Sequence, residues 1–294
     1  MRRGIDHLVL CVADLERAVA FYRRLGFTTT PRAQHAWGTD NSLVQLDGCF
    51  LELLTLARPE RVSPPSRHTF SFGAFNRDFL AGGEGMSMLV FESSDARADR
   101  EQLVESGLHP WEVFDFERAA RLPDGSSVRV AFSLAFATDP RMPQVAFFYC
   151  QQHAPQYFWK PEYQRHENGA RVVVEVLMEA PEPHALRDFF VRLQDDESVQ
   201  VVDGGLEVST PRGRLAVLSP EALARRPAGA LPAAHAGSAR FIGYSVAVAD
   251  REHAARILSA NDVAFEEAGD ALRISPEHAF GVTVELVEQG GVPP

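Results

Sequence analysis

One order of elements, a strand, a helix and then a run of short strands, recurs four times along the 294 residues, and this constrains the fold more than any other feature of the chain. In the first copy, β-branching and alternation in Ile5 to Val12 predict a strand. Asp14 is a candidate helix N-cap, and Leu15, Ala18, Val19, Tyr22 and Leu25 fall at helical spacing before Gly26. Strands are predicted at Phe27 to Thr30, Ser42 to Leu46 and Cys49 to Leu56, the last two joined through Asp47-Gly48. The second copy opens at Ser87 to Glu92, continues in a helix from Asp95 to Gly107, and closes in strands at Val128 to Ala137 and Val145 to Gln151. The third runs from Val172 to Met178 through a helix containing Leu186, Phe189, Phe190 and Leu193 to short strands near Val199, Leu206 and Leu215. In the fourth, Val248-Ala249-Asp250 repeats Val12-Ala13-Asp14, and the closing strand Gly281 to Val287 repeats Gly48 to Leu54, with Glu285 at the place of Glu52. The expectation is an α+β chain of four βαβββ units in two pairs, one domain over 1–160 and a second over 161–294.

Composition bounds the function. Apolar residues at 45% and charged residues at 23% describe a globular chain, and 40 acidic against 29 basic residues leave a net charge of −11. Nucleic acid is therefore not an expected partner, since phosphate recognition needs clustered Lys and Arg. No apolar run reaches membrane-spanning length, and Asp6, His7, Asp14 and Glu16 interrupt the first apolar stretch before it could serve as a signal-peptide core. Cys11, Cys49 and Cys150 stand in apolar strands without CxxC spacing and read as buried thiols in a reducing compartment. A cytoplasmic protein acting on a small molecule, with no membrane partner, is expected.

Two residues carry the chemistry. His7 lies inside an apolar strand, where a polar ring needs a partner. Glu52 is flanked by Phe50, Leu51, Leu53 and Leu54, where a carboxylate requires a metal, a cation or a raised pKa. The turn Trp37-Gly38-Thr39-Asp40-Asn41 offers an aromatic plate and small hydrogen-bonding groups, so Trp37, Thr39 and Asn41 are candidate substrate contacts. Gln151 and His153, followed by Tyr157, Phe158 and Trp159, suggest a further pocket wall. The insertion Pro59 to Gly85 reads as a surface loop or a lid, and Arg118 and Arg121, before the turn Pro123-Asp124-Gly125, as solvated charges, with contact to an anionic substrate as the alternative. Pro220 to Ser238 reads as a loose surface connection. Glu285 with Glu175 is a second carboxylate pair able to hold a metal or share one proton, or a degenerate copy of the first. GxSxG, GxxxxGK[ST], HExxH and GxGxxG signatures are absent.

The strand Ile5-Asp6-His7-Leu8-Val9-Leu10, the helix Asp14 to Tyr22, Leu25-Gly26-Phe27 and the strand Phe50-Leu51-Glu52-Leu53 resemble the vicinal oxygen chelate superfamily, which includes glyoxalase I, bleomycin-resistance proteins, methylmalonyl-CoA epimerase and extradiol dioxygenases. His35 to Asn41 and Cys150 to His153 extend the likeness toward bacterial glyoxalase-like proteins. The resemblance implies two cupped, barrel-like domains of the glyoxalase/bleomycin-resistance type, with metal ligands on the first and last strands of each unit. It places His7 and Glu52 on ligand positions, with Gln151 as a third, around a divalent ion such as Zn, Ni, Mn or Fe. Superposing Asp14 on Asp95 brings Met88 to the place of His7, and the corresponding residues are Glu175 in unit three and Gly243 or Tyr244 in unit four. Neither half carries the family's four-ligand set. The implied activity is isomerase or lyase chemistry, with Glu52 and His7 catalytic. The alternatives are metal-free sequestration of a small molecule and extradiol-type dioxygenation with His153 as a second histidine. Homodimers are a further expectation of the fold.

Overall fold

The computed structural model describes residues 3–121, 127–226 and 237–288. The Pro123-Asp124-Gly125 turn and most of the connection from Pro220 to Ser238 lie outside these residues. Asp14 caps the first helix, accepting from Arg17 N, and the helix buries Leu15, Ala18, Val19 and Tyr22. Gly26, at φ +89°, ends it in the left-handed region that glycine tolerates.

The chain builds two eight-stranded sheets. The first holds β1 (Ile5–Cys11), β2 (Ala33–Gln34), β3 (Thr39–Gln45), β4 (Phe50–Leu56), β5 (Gly85–Ser93), β6 (Phe114–Arg121), β7 (Ser127–Ala137) and β8 (Ala146–Gln152). The second holds β9 (Ala170–Glu179), β10 (Val199–Val202), β11 (Gly205–Ser209), β12 (Arg214–Leu218), β13 (Arg240–Val248), β14 (Glu266–Ala268), β15 (Ala271–Ile274) and β16 (Thr283–Glu288). The α-helices are α1 (Leu15–Arg24), α2 (Phe72–Ala81), α3 (Ala96–Glu105), α4 (Pro155–Phe158), α5 (Arg187–Leu193), α6 (Pro220–Ala224) and α7 (Arg251–Ala260). Strand order in the first sheet is β2-β3-β4-β1-β5-β8-β7-β6, and the second repeats it as β10-β11-β12-β9-β13-β16-β15-β14. Two βαβββ units thus join edge to edge in each cupped sheet, through the antiparallel pairs β1–β5 and β9–β13. None of the described helices is long and apolar enough to cross a membrane.

Four elements differ from the expectations. Phe27 to Thr30 is not a strand: Phe27 is buried beside Tyr22, and only Thr30 N reaches β3, at Leu43 O. Pairing starts instead at Ala33. The insertion from Pro59 to Gly85 contains α2, whose N-cap Ser71 accepts from Ala74 N and whose Asn76 is buried between Phe72 O and Ser87 Oγ. The second unit has a further strand, β6. Its Phe114, Phe116 and Arg118 alternate with Asp115 and Glu117, which favours a strand with one apolar face. The segment between the sheets contributes α4, whose Phe158 is buried against the first sheet.

One apolar core lies between the two sheets and takes side chains from both, among them Leu8, Leu10, Phe147, Val176, Phe189, Phe190 and Phe241. Phe147 meets Phe189, Phe190 and Phe241 at 5.4 to 5.7 Å, and Tyr22 and Tyr244 share a buried hydroxyl hydrogen bond of 2.7 Å. A second apolar cluster fills the concave face of the first sheet, and there the site lies.

Candidate functional site

Alternation along β1 sends His7, Val9 and Cys11 to the concave face and Leu8 and Leu10 into the core between the sheets. Regular pleating would turn Asp6 away from His7. The ladder to β5 slips here, with Ile5 opposite Phe91 and His7 opposite Val90, so Asp6 is the extra residue of a β-bulge. The Asp6 carboxylate is buried, with Oδ2 2.6 Å from His7 Nδ1 and Oδ1 accepting from Gln152 Nε2 at 3.1 Å. A carboxylate only accepts, so Nδ1 carries a proton, and in the neutral tautomer that this selects, Nε2 presents its lone pair on the opposite edge. Phe50 stacks on the imidazole at 4.2 Å and Phe148 meets it edge-on at 5.4 Å. The ring is held on three sides.

Glu52 stands on β4, opposite Val9. Its Oε2 is 3.8 Å from His7 Nε2, beyond hydrogen-bond range. Oε1 accepts from Asn41 Nδ2 at 2.6 Å, and the same nitrogen is 3.4 Å from His35 Nε2. An amide nitrogen only donates, so His35 Nε2 accepts and its Nδ1–H donates to Thr39 Oγ1 at 2.9 Å. Burial holds the His35 imidazole down at about 4, against the opposing pull of the Glu52 charge. His35 is therefore neutral at pH 7 and stacks on Trp37 at 4.4 Å. Asp6, His7, Glu52, Asn41, His35 and Thr39 make a polar ribbon across an apolar surface.

The ribbon borders a cavity of about 50 Å³. Its walls are His7, His35, Trp37, Asn41, Leu43, Phe50, Glu52, Phe72, Phe116, Arg118, Phe132, Leu134, Phe148, Cys150 and Phe158. A wider recess of about 420 Å³ shares Asn41, Leu43, Arg118 and Phe158 with it and adds Arg32, Gln45, Tyr157 and Lys160. Three buried polar atoms here have no partner among the described residues: Trp37 Nε1, Asn41 Oδ1 and Gln152 Oε1. An unsatisfied donor and acceptor on the wall of a pocket are groups a ligand can satisfy.

The structure thus brings together His7, Glu52, Trp37 and Asn41, with Thr39 behind His35. It does not bring Gln151 or His153 to them. On β8 the cavity face carries Phe148, Cys150 and Gln152, and Gln151 points the other way. There its Oε1 accepts from Ala96 N and its Nε2 donates to Ser94 O, tying down the start of α3. Gln151 is therefore not a ligand of this site. His153 is exposed, with Nε2 2.8 Å from Ser133 Oγ, so the second histidine of the dioxygenase alternative does not reach Glu52.

Three cavity residues, His35, Cys150 and Arg118, and Asp6 behind His7 were not assigned to the site by the sequence reading. Asp6 needed the bulge, His35 lay within the recognised motif without a role, Cys150 read as structural, and Arg118 read as surface. Spacing on β6 held the signal for Arg118, two residues beyond Phe116. Burial, with the Glu52 charge opposing it, lowers the Arg118 pKa from its ordinary value.

The carboxylates of the second half are structural. Glu285 takes Arg273 Nε and Nη2 at 3.0 and 2.6 Å and Ser245 Oγ at 2.9 Å, while Glu175 takes Arg214 and Arg226 at 2.9 and 2.8 Å. With Glu285 held by Arg273 and Glu175 by two other arginines, the pair does not share a proton or a metal. In the first sheet, Met88 lies opposite Ala146 and Val90 opposite Phe148, so Phe148 occupies in unit two the place that Glu52 holds in unit one.

The fold family implies a divalent metal, and the donor chemistry fits one held from a single side. His7 Nε2 and Glu52 Oε2 face each other without a hydrogen bond, at a spacing that two bonds of about 2.1 Å span. Asp6 behind Nδ1 is the carboxylate partner that metal-bound histidines use to fix ring and tautomer. Remaining positions fall to water or ligand oxygens. Donor atoms of Asp6, His7 and Cys150 also lie within 4.8 Å of one another. There, however, the Cys150 thiol is held protonated by burial and by the Asp6 and Glu52 charges, and a hydrogen bond already joins Asp6 to His7.

Comparison with known proteins agrees with the fold. A hypothetical protein from Staphylococcus aureus superposes with a TM-score of 0.67 at 12% identity, covering 97% of this chain and 99% of its own. A triple mutant of 4-hydroxymandelate synthase from Streptomyces coelicolor gives 0.60 at 15% identity, with 100% and 94% covered. A xylose isomerase-like TIM barrel/4-hydroxyphenylpyruvate dioxygenase fusion protein gives 0.51 at 12% identity, with 100% of this chain and 50% of that one covered. No curated protein matches in sequence. The glyoxalase-like domain family matches residues 5–194, the whole first sheet and the start of the second. The chain belongs to that family, within the vicinal oxygen chelate superfamily.

Proposed function

We propose that the first sheet encloses the active site of a divalent-metal-dependent enzyme performing isomerase or lyase chemistry on a small, oxygen-rich molecule. The observation that carries this reading is the open 3.8 Å gap between His7 Nε2 and Glu52 Oε2, with Asp6 fixing the imidazole from behind. A bound ion would supply Lewis-acid polarisation of adjacent substrate oxygens. Asn41 holds Oε1 of Glu52 and leaves Oε2 free to take or return a proton at the substrate. Neutral His35 fixes Asn41 in turn, so one carboxylate oxygen is committed to structure and the other to chemistry. Phe50, Phe116, Phe132 and Phe148 exclude water, which strengthens each charge inside.

Metal-free binding of a small molecule is the second reading, favoured by Met88 and Phe148 at the ligand places of unit two. Metal analysis of the purified, metal-supplemented protein separates the two. The enzyme reading expects about one divalent ion per chain, lost in His7→Ala and Glu52→Ala variants. A metal-free wild type would overturn it in favour of sequestration.

A further inference from the structure

Arg118 stands where the aromatic cavity opens into its recess, half-buried and bordering both. Every other arginine that is at least partly buried among the described residues holds a carboxylate or a backbone carbonyl: Arg3, Arg58, Arg100, Arg187, Arg192, Arg212, Arg226, Arg240, Arg251 and Arg273. The Arg118 guanidinium makes no hydrogen bond or ion pair among the described residues. Its one charged influence is Glu52, which attracts it from a distance and already has Asn41. Other carboxylates near Arg118 are engaged elsewhere: Asp40 by Arg32 and Arg58, Asp115 by Arg97 and Glu117 by Arg129. Lys160, also half-buried, adds a second cation to the recess, and its ammonium forms no ion pair among the described residues.

A guanidinium kept out of bulk water with its fork unfilled is costly unless an anion completes it. Here the fork borders a slot walled by Phe116, Phe132, Phe158 and Trp37. We infer that the ligand of this cavity is an organic anion, with a flat apolar body between these rings and an oxyanion end, carboxylate or phosphate, on Arg118 with Lys160 beside it. This names the ligand class of the site and rests on the cavity being the site, not on the metal. A guanidinium fork matches the two oxygens of either group. The anion sits at the mouth, away from Glu52, so the ligand's other end meets the polar ribbon.

Calorimetric titration with benzoate, phenyl phosphate and neutral benzamide tests the inference, on wild-type protein both metal-stripped and metal-loaded. At least one anionic probe is expected to bind about tenfold or more tighter than benzamide in both states. Arg118→Met should abolish that preference with benzamide affinity unchanged, and Arg118→Lys should keep part of it. Which anion wins decides between carboxylate and phosphate. Equal affinities, no binding of either anion, or a preference that survives in Arg118→Met would overturn the inference. A preference seen only with metal present and untouched by Arg118→Met would do the same while leaving the metal reading intact. Loss of metal binding with the Arg118-dependent preference retained would do the reverse.

Discussion

Two histidines face one cavity, and their neighbours give them different work. His7 has an acidic group at each nitrogen, Asp6 at 2.6 Å and Glu52 at 3.8 Å. His35 has a hydroxyl and an amide, and burial keeps it neutral. Because its folded pKa of about 4 lies below the ordinary 6.5, the unfolded chain binds more protons between those values. Stability contributed by neutral His35 is therefore complete above about pH 6.5 and falls by up to about 3 kcal/mol as pH drops to 4. His166, also lowered by burial, acts in the same direction. Urea titrations at stepped pH should show this slope, and His35→Gln should flatten it; an unchanged slope in the variant would refute the assignment. At this scale the sequence was readable wherever a polar residue stood alone in an apolar strand, as His7 and Glu52 do. It misled where one residue of register decides the face, exchanging Gln152 for Gln151. It favoured solvated surface over an anion contact for Arg118, whose burial depends on a strand and cavity formed by distant residues.

Single elements explain why one half of the chain has a site and the other does not. In β1 a bulge turns two consecutive polar side chains to one side, which alternation alone forbids. In the second sheet, β15 places Arg273 opposite Glu285, where β3 places Leu43 opposite Glu52. The arginine fills the space with an ion pair; the leucine leaves Glu52 accessible to the cavity. Arg273→Met should then strand a buried carboxylate and cost about 3–5 kcal/mol in chemical denaturation, with ligand binding by the folded protein unaltered. A variant as stable as wild type would show that Glu285 is not dependent on its arginine. The repeated element order was legible because each unit opens on a strand and a well-capped helix. β6 and α2 were not, because their apolar faces are short and match cavity walls contributed by other units.

Across the whole molecule, the two sheets share one core, sealed by the Tyr22–Tyr244 hydrogen bond and the Phe147 cluster. The segment between Gln152 and Ala170 then links two sheets that depend on each other for burial. Chemical unfolding is expected as a single transition, coincident by circular dichroism and by tryptophan fluorescence, the tryptophans all belonging to the first half. Two resolved transitions would show independent halves. The fold class followed from the fourfold recurrence, but the position of the cavity required knowing that units one and two close on each other. The central claim, that His7 and Glu52 face a common ion, has one most direct test: anomalous diffraction from crystals of the metal-loaded protein. The expected result is a single strong peak between His7 Nε2 and Glu52 Oε2. A peak among Asp6, His7 Nδ1 and Cys150, or none in this cavity, would contradict it.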